Sequence, residues 1–404
     1  MAQLIAAAAP WHAVAFNSGS SSLKFGLYAL RAGHPACVVS GEAHGIGEAG
    51  SVFRVVDASG RVVCLDAGPL RTPQDVVVRF SGLLVEAGAP GPQAIGHRVV
   101  HGGPMLRQHC RIDDAVLRQL DAAKPFAPLH TPAVLSVIRS AQAEFPGLPQ
   151  MACFDTVFHA RMPAVASVLP LPAALRAQGV QRYGFHGLSC ESIVQQLAQA
   201  SAGRAPKRLL IAHLGNGASI TAVRDSVSID TSMGLTPSGG LIMGTRSGDL
   251  DPGVLVYLAR EKGFDARMLE DLIDHRSGLV GISGLDGDMR KLHAAAAAAA
   301  SNADAALAIR MFCYAVRKQL AAMWAVLDGV DAIVFTGGIG EHDAAVRAEV
   351  CTGLSSLGVQ LDEARHRALI NPISATGSSC RVHVLPSLED EQIARHTWVL
   401  AGIA

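Results

Sequence analysis

The chain lacks an excess of either charge. Its 34 Lys and Arg face 34 Asp and Glu, and only 17% of its 404 residues are charged. Binding to nucleic acid or to an acidic membrane surface usually shows as a basic surplus, so neither partner is expected. The eight cysteines, at 37, 64, 110, 153, 190, 313, 351 and 380, include no C-x-x-C pair. That spacing argues against a zinc site and for reduced thiols in a reducing compartment. The first Lys or Arg is Lys24, so the apolar start "MAQLIAAAAPWHAVAF" has no basic n-region and does not read as a signal peptide. No apolar run approaches the roughly 20 residues of a membrane span. A cytoplasmic protein is the expectation.

What is present is a large apolar fraction, 50% of the residues, in a chain longer than one core usually supports; two domains are expected. Strand-like runs ("HAVAF", "LKFGLY", "AIGHRVV", "PQMACFD", "RLLIAHL", "ASITAV", "DAIVFTGG", "CRVHVLP") alternate with helical ones ("ESIVQQLAQA", "DPGVLVYLAREKG"), which predicts an α/β fold. The alanine-rich region from about Arg290 to Leu327 reads as helical, and its run "HAAAAAAA" as strongly propagating helix. "VAFNSGSSSLKFGLY" and "LLIAHLGNGASITAV" both read strand, small polar turn, strand. Two such hairpins about two hundred residues apart suggest a duplicated architecture, with two similar halves facing each other across a cleft.

The first hairpin has the materials of a phosphate cradle but not of a P-loop. In G-x-x-x-x-G-K-[ST] the lysine follows a second glycine and leads into a helix. Lys24 follows Leu23 and leads into strand-like "FGLY". On a strand, alternation puts Ser20, Ser22 and Lys24 on one face and Leu23 and Phe25 on the other, with Asn17 at the turn entrance. A solvated hairpin tip with a surface lysine is the equally weighted alternative. "HLGNG" (213 to 217) and "VFTGGIGEH" (334 to 342) are two more small-residue turns through which backbone N–H groups can approach an anion.

Several charged residues stand in apolar or glycine-rich surroundings: Arg98 in "GHRVVHGG", Arg246 in "GTRSGD", His130 in "PLHTP", His186 in "RYGFHG" and Asp155 in "CFDT". Singly, each is more often structural, as a paired arginine, a satisfied core histidine or a helix-capping aspartate. Together they suit phosphoryl transfer, with arginines and histidines neutralising the moving group and carboxylates such as Asp155 and Glu389 holding Mg²⁺ through its waters.

These motifs, with "DTSMGLTPSGGLIMGTRSGDLDPG", "GISG" and the final "IAR", resemble the acetate kinase family of the sugar kinase, actin and Hsp70 ATPase superfamily, from about Ala13 to the C-terminus. The resemblance implies two actin-like (ribonuclease H-like) domains closing over a cleft, over 1–157 completed by about 390–404, and 158–389. It implies transfer of phosphoryl between ATP or ADP and a short carboxylate, with Mg²⁺ or Mn²⁺, in a homodimer. By motif, Ser20, Ser22 and Lys24 line the phosphate region, and Asn17 and Glu389 serve the metal. Arg98 and Arg246 bind carboxylate and phosphoryl group, His186 stabilises the transition state with His130 nearby, and Asp155 is the catalytic carboxylate. His213, Gly215, Asn216 and Gly217 contact phosphates. Asp288, Met289 and Arg290, with Gly337, Gly338, Ile339 and Gly340, surround the nucleotide. Val100, Leu129, Phe185 and Pro237 form the apolar pocket for the acid. The chain departs from the family pattern at His342, at Met289 and at Ser238–Gly239.

A short carboxylic acid is already an anion at pH 7, so the expected mechanism is direct in-line transfer without a general base. Acetate is the expected acceptor. Propionate or butyrate is the alternative, because one methylene is worth only about 1–3 kcal/mol. A non-catalytic ATPase switch is the rival from another class, since the fold alone permits it.

Overall fold

A computed structural model of the chain describes residues 10–19, 22–48, 50–128, 130–201, 203–298 and 302–402. They form two compact units, one within Met1–Val157 and Leu388–Ala404, the other within Phe158–Ser387.

The first unit is built on β1 (Trp11–Ser18), buried from His12 to Ser18. A strand apolar on both faces belongs at the centre of a covered sheet. β2 (Ser22–Arg31) returns antiparallel, setting Phe16 opposite Phe25 and Asn17 opposite Lys24. β3 (His34–His44), β4 (Val52–Asp57) and β5 (Val62–Asp66) continue the meander. β6 (Ala94–Val99) pairs parallel with β1; β7 (Cys110–Arg111) and β8 (Gln150–Phe154) complete the order β5-β4-β3-β2-β1-β6-β8-β7. Phe25 packs against Phe53 and Phe80, with ring centroids 5.2 and 4.6 Å away. Phe80 comes from the helix Pro73–Glu86, which opens with a Thr72/Asp75 capping box and buries Val76, Val77, Phe80 and Leu84 along one stripe.

The helix Glu389–Leu400 lies against β1, β2, β6 and β8. A Cβ on Gly96 of β6 would stand 2.2 Å from Thr397 Oγ1 and 2.5 Å from Ile393 Cγ2. Only glycine lets this helix come so close to the strand. The approach fixes the helix N-terminus, and with it Glu389 and Asp390, beside the end of β1.

The second unit repeats the plan. β9 (Arg208–Leu214), β10 (Ala218–Arg224) and β11 (Val227–Thr231) form an antiparallel meander. β12 (Ala332–Thr336) and β13 (Arg381–Val384) add parallel strands beyond β9, giving β11-β10-β9-β12-β13. This matches β3-β2-β1-β6-β8 in order and direction, so the duplication inferred from two hairpins extends to five strands in each unit. The 25-residue helix Ala303–Leu327 packs on β9 and β10.

The alanine-rich stretch is not one helix. The helix Met289–Ala297 ends inside the alanine run, and Ala298 is extended, with φ −63° and ψ 155°. A new helix starts at Ala303, where the Asn302 side chain accepts the Ala305 N–H. Alanine propagates a helix, but packing and caps decide where helices end. No helix among the described residues is long and apolar enough to cross a membrane.

Candidate active site

In the first unit the site forms where β1, β6 and β8 end. Asn17, 7% exposed, is the hub. Its Nδ2 donates to Glu389 Oε2 at 3.0 Å and to Asp390 Oδ1 at 2.8 Å. Its Oδ1 accepts from Arg98 Nη1 at 3.1 Å. Arg98 also donates from Nε and Nη2 to Asp155 Oδ2, at 2.9 and 2.6 Å. Asp155 is fully buried, one residue beyond β8, with its backbone N–H on the Val99 carbonyl. Lys24 stands opposite Asn17 on β2, so their side chains leave the same face of the sheet. Ser22 and Lys24 alternate with buried Leu23 and Phe25, as the strand period requires.

Burial alone would lower the Arg98 pKa, but Asp155, Glu389 and Asp390 hold its guanidinium above the ordinary arginine value. Burial pushes the Asp390 carboxyl up. The Asn17 amide and Lys24 pull it back down, while Glu389 beside it adds to the rise. Three carboxylates therefore crowd around one guanidinium. The surplus is negative, and it is made of hard oxygen donors. That donor set fits a divalent cation that keeps much of its water, as Mg²⁺ does.

The second unit has its own cluster of candidate residues, at the other hairpin. The turn Gly215–Gly217 joins β9 to β10, with the Gly215 N–H on the Gly217 carbonyl at 2.9 Å. His213 at the end of β9 and His186 stack with ring centroids 4.0 Å apart and planes at 20°. Each ring is pinned through Nδ1, His186 by Ser219 Oγ at 2.9 Å and His213 by Ser189 Oγ at 2.8 Å. His186 sits at φ 59°, a left-handed conformation unusual outside glycine, immediately before the helix Gly187–Ala200. Its Nε2 and Arg246 Nη1 lie 3.2 and 3.5 Å from where a Cβ on Gly217 would stand, so imidazole, guanidinium and turn converge on one spot. Arg246 Nη1 also donates to the Pro237 carbonyl at 3.4 Å.

The Arg246 loop is held by its backbone. Met243 N–H bonds to the Arg246 carbonyl, and the N–H groups of Ser277, Leu279 and Val280 bond to the carbonyls of Thr245, Met243 and Gly244. A Cβ on Gly244 would stand 2.3 Å from Asn216 Oδ1, so the bare glycine lets the hairpin turn seat against this loop. A Cβ on Gly287, just before Asp288, would stand 2.8 Å from the Gly244 carbonyl oxygen. Asp288 caps the helix that begins at Met289 and pairs with Arg290 at 2.6 Å. Gly337, Gly338, Ile339 and Gly340 form the first turn of the helix Gly337–His342, directly after β12.

The structure thus gathers Asn17, Arg98, Asp155, Glu389 and Lys24 in the first unit. In the second it gathers His186, His213, Arg246, Pro237 and the Gly215–Gly217 turn, with the Asp288–Arg290 and Gly337–Gly340 segments following the loops packed beside it. Val100 lies in the first unit, buried beyond β6, and Phe185 in the second, its carbonyl on His159. His130 precedes the helix Thr131–Glu144 without capping it through its side chain. Ser20 and Leu129 lie outside the described residues. Sequence reading passed over Asp390, Ser189 and Ser219. For Asp390 the signal was present, as the second acid of "LEDE" at a helix start; no local feature marks either serine.

The sequence model of the acetokinase family matches residues 12–395. An acetate kinase of Rhodopseudomonas palustris is 42% identical over 396 residues, 95% of this chain and 97% of the relative. The crystal structure of a propionate kinase from Francisella tularensis superposes with a TM-score of 0.88 at 36% identity, covering 96% of this chain and 100% of that one. That of Porphyromonas gingivalis acetate kinase gives 0.85 at 33% identity, over 97% and 100%. These relationships define an ATP:carboxylate phosphotransferase. More narrowly, the chain belongs to the acetokinase family. Membership implies carboxylate and nucleotide substrates and a divalent metal.

Proposed function

We propose that the chain transfers the γ-phosphoryl group of ATP to acetate, giving acetyl phosphate and ADP, in a reversible reaction that uses Mg²⁺ and accepts Mn²⁺. The observation that carries this reading is the Asn17 amide, which ties the carboxylates of Glu389 and Asp390 to the guanidinium of Arg98.

Acetate arrives as an anion and needs no base. The obstacle is repulsion between carboxylate and phosphate oxygens, and the chain's own groups act on that repulsion. Arg98, oriented by Asp155, and Arg246, held by its clamped loop, present guanidinium N–H groups to carboxylate and phosphoryl oxygens. His186, fixed by Ser219, directs Nε2 towards the same charge. Lys24, Ser22 and Ser20 meet the phosphates from the first hairpin, with His213 and the Gly215–Gly217 turn doing so from the second. Asp288, Met289, Arg290 and Gly337–Gly340 hold the rest of the nucleotide. Asn17, Glu389 and Asp390 would hold the divalent cation, which would supply neutralisation of phosphate charge. Asp155 orients Arg98 rather than removing a proton. Val100, Leu129, Phe185 and Pro237 contact the acid's methyl group, and His130 supports the site. Transfer is in-line and direct.

Eight cysteines without a disulfide support a cytoplasmic location, and a homodimer completes the proposal. Its test is a hydroxylamine trap with acetate, propionate and butyrate at equal concentration. The highest kcat/KM with acetate supports the reading. A higher value with propionate, as the likeness to the Francisella structure allows, moves the assignment to that acid. Absence of any hydroxamate removes it.

A further inference from the structure

Glu341 has no role in the chemistry above, yet its carboxylate makes an unusual pair of contacts. One oxygen, Oε1, accepts the Gly337 N–H at 3.0 Å and the Ser387 N–H at 3.2 Å. Gly337 opens the glycine turn after β12. Ser387 is the last residue of the second unit, and the chain enters the first unit at Leu388. The next two residues, Glu389 and Asp390, are the carboxylates on Asn17.

The surroundings make this link specific. Buried Arg347 donates from Nη1 to the carbonyls of Gly340 and Glu341, both at 2.9 Å, so the backbone that carries Glu341 is itself fixed. On the other side, Leu385 N–H bonds to the Phe335 carbonyl and the Pro386 carbonyl accepts from Gln196 at 2.9 Å. Glu341 holds the residue immediately before Leu388, a leucine at φ 36°. A non-glycine residue in the left-handed region persists only where its neighbours over-determine it.

We infer that Glu341 is a positioning residue that couples the glycine turn Gly337–Gly340 to the chain entering Glu389 and Asp390. Order imposed on the turn by a nucleotide passes through one carboxylate oxygen to the segment that presents the metal-binding carboxylates. The coupling is a shared acceptor: tightening of the bond to Gly337 fixes the atom that also holds Ser387. The inference rests on the reading that Gly337–Gly340 contacts nucleotide.

Hydrogen exchange of the full-length protein, followed by mass spectrometry with and without ADP, tests it. In the wild type, ADP slows exchange in peptides covering 333–342 and also 383–392, each by about tenfold. In Glu341→Ala, ADP slows only 333–342. Glu341→Gln, which keeps an acceptor oxygen, restores the response at 383–392. Ser387→Pro removes the donor instead of the acceptor and uncouples the segments in the same way, which guards against a Glu341→Ala protein that fails to fold. An undiminished ADP response at 383–392 in both Glu341→Ala and Ser387→Pro overturns the coupling while leaving the nucleotide reading intact. If ADP leaves 333–342 unchanged in the wild type, that reading fails and the inference falls with it.

Discussion

Asn17 and Asp390 are separated by 373 positions, yet the amide of one donates to the carboxylate of the other at 2.8 Å. The bond closes the first unit on itself, tying the end of its first strand to the start of its last helix. Asn17→Ala removes it together with the Glu389 and Arg98 contacts. The expected result is a kcat lower by about 10²-fold and a higher Mg²⁺ concentration for half-maximal activity, read from Mg²⁺ titrations. A normal Mg²⁺ requirement in the variant contradicts the role given to Asn17.

Arg246 stands on a loop that is clamped through its backbone, so removal of its side chain should cost activity more than stability. Arg246→Ala is expected to lower kcat by about 10²–10³-fold, with a melting temperature close to wild type. Lysine, a point charge without the guanidinium fork, should not restore it. Steady-state kinetics beside a thermal melt separate the two effects.

Gly96 predicts a remote route to the same loss. A Cβ there meets Thr397 and Ile393 and must displace the helix that carries Glu389 and Asp390. Gly96→Ala is expected to cost about 1–3 kcal/mol by overpacking and to raise the Mg²⁺ requirement, although residue 96 touches no substrate. Denaturant midpoints and Mg²⁺ titrations report on the two effects separately.

Much of this was legible in the sequence because strand alternation and small polar turns are local. Ser22 and Lys24 sharing a face, the second hairpin at Gly215–Gly217, and Asp155 at a strand end follow from spacing alone. The strands β3, β4 and β5 were passed over, because their polar and exposed residues dilute the period-2 signal. The end of the helix at Ala297 was hidden for the opposite reason: a run of alanine carries helix propensity but no cap. Asp390 on Asn17, Ser219 on His186 and Glu341 on Ser387 are long-range pairings, and nothing in one strand or turn specifies its partner across the chain.

Two buried histidines contribute to the loss of stability in acid. Burial lowers His97 and His159 to about 4, against a Gln150 bond that raises the first and the Phe185 carbonyl, with Glu191, that raises the second. Both are neutral in the folded protein and protonate on unfolding, so the unfolded state binds more protons between the two values. Stability is therefore full above the ordinary histidine pKa and falls as pH drops from about 6.5 towards 4. Each should cost about 2 kcal/mol at pH 5. Urea midpoints at pH 7.5 and 5 measure the sum, and His159→Gln should flatten the dependence; an unchanged slope contradicts the assignment.

The most direct test of the central claim is product formation itself. Purified protein is incubated with ATP, Mg²⁺, acetate and hydroxylamine, and acyl hydroxamate is measured beside ADP. Direct transfer to the acid predicts hydroxamate and ADP in equal amounts, both dependent on acetate. ADP released at the same rate without acetate, and no hydroxamate, would contradict it.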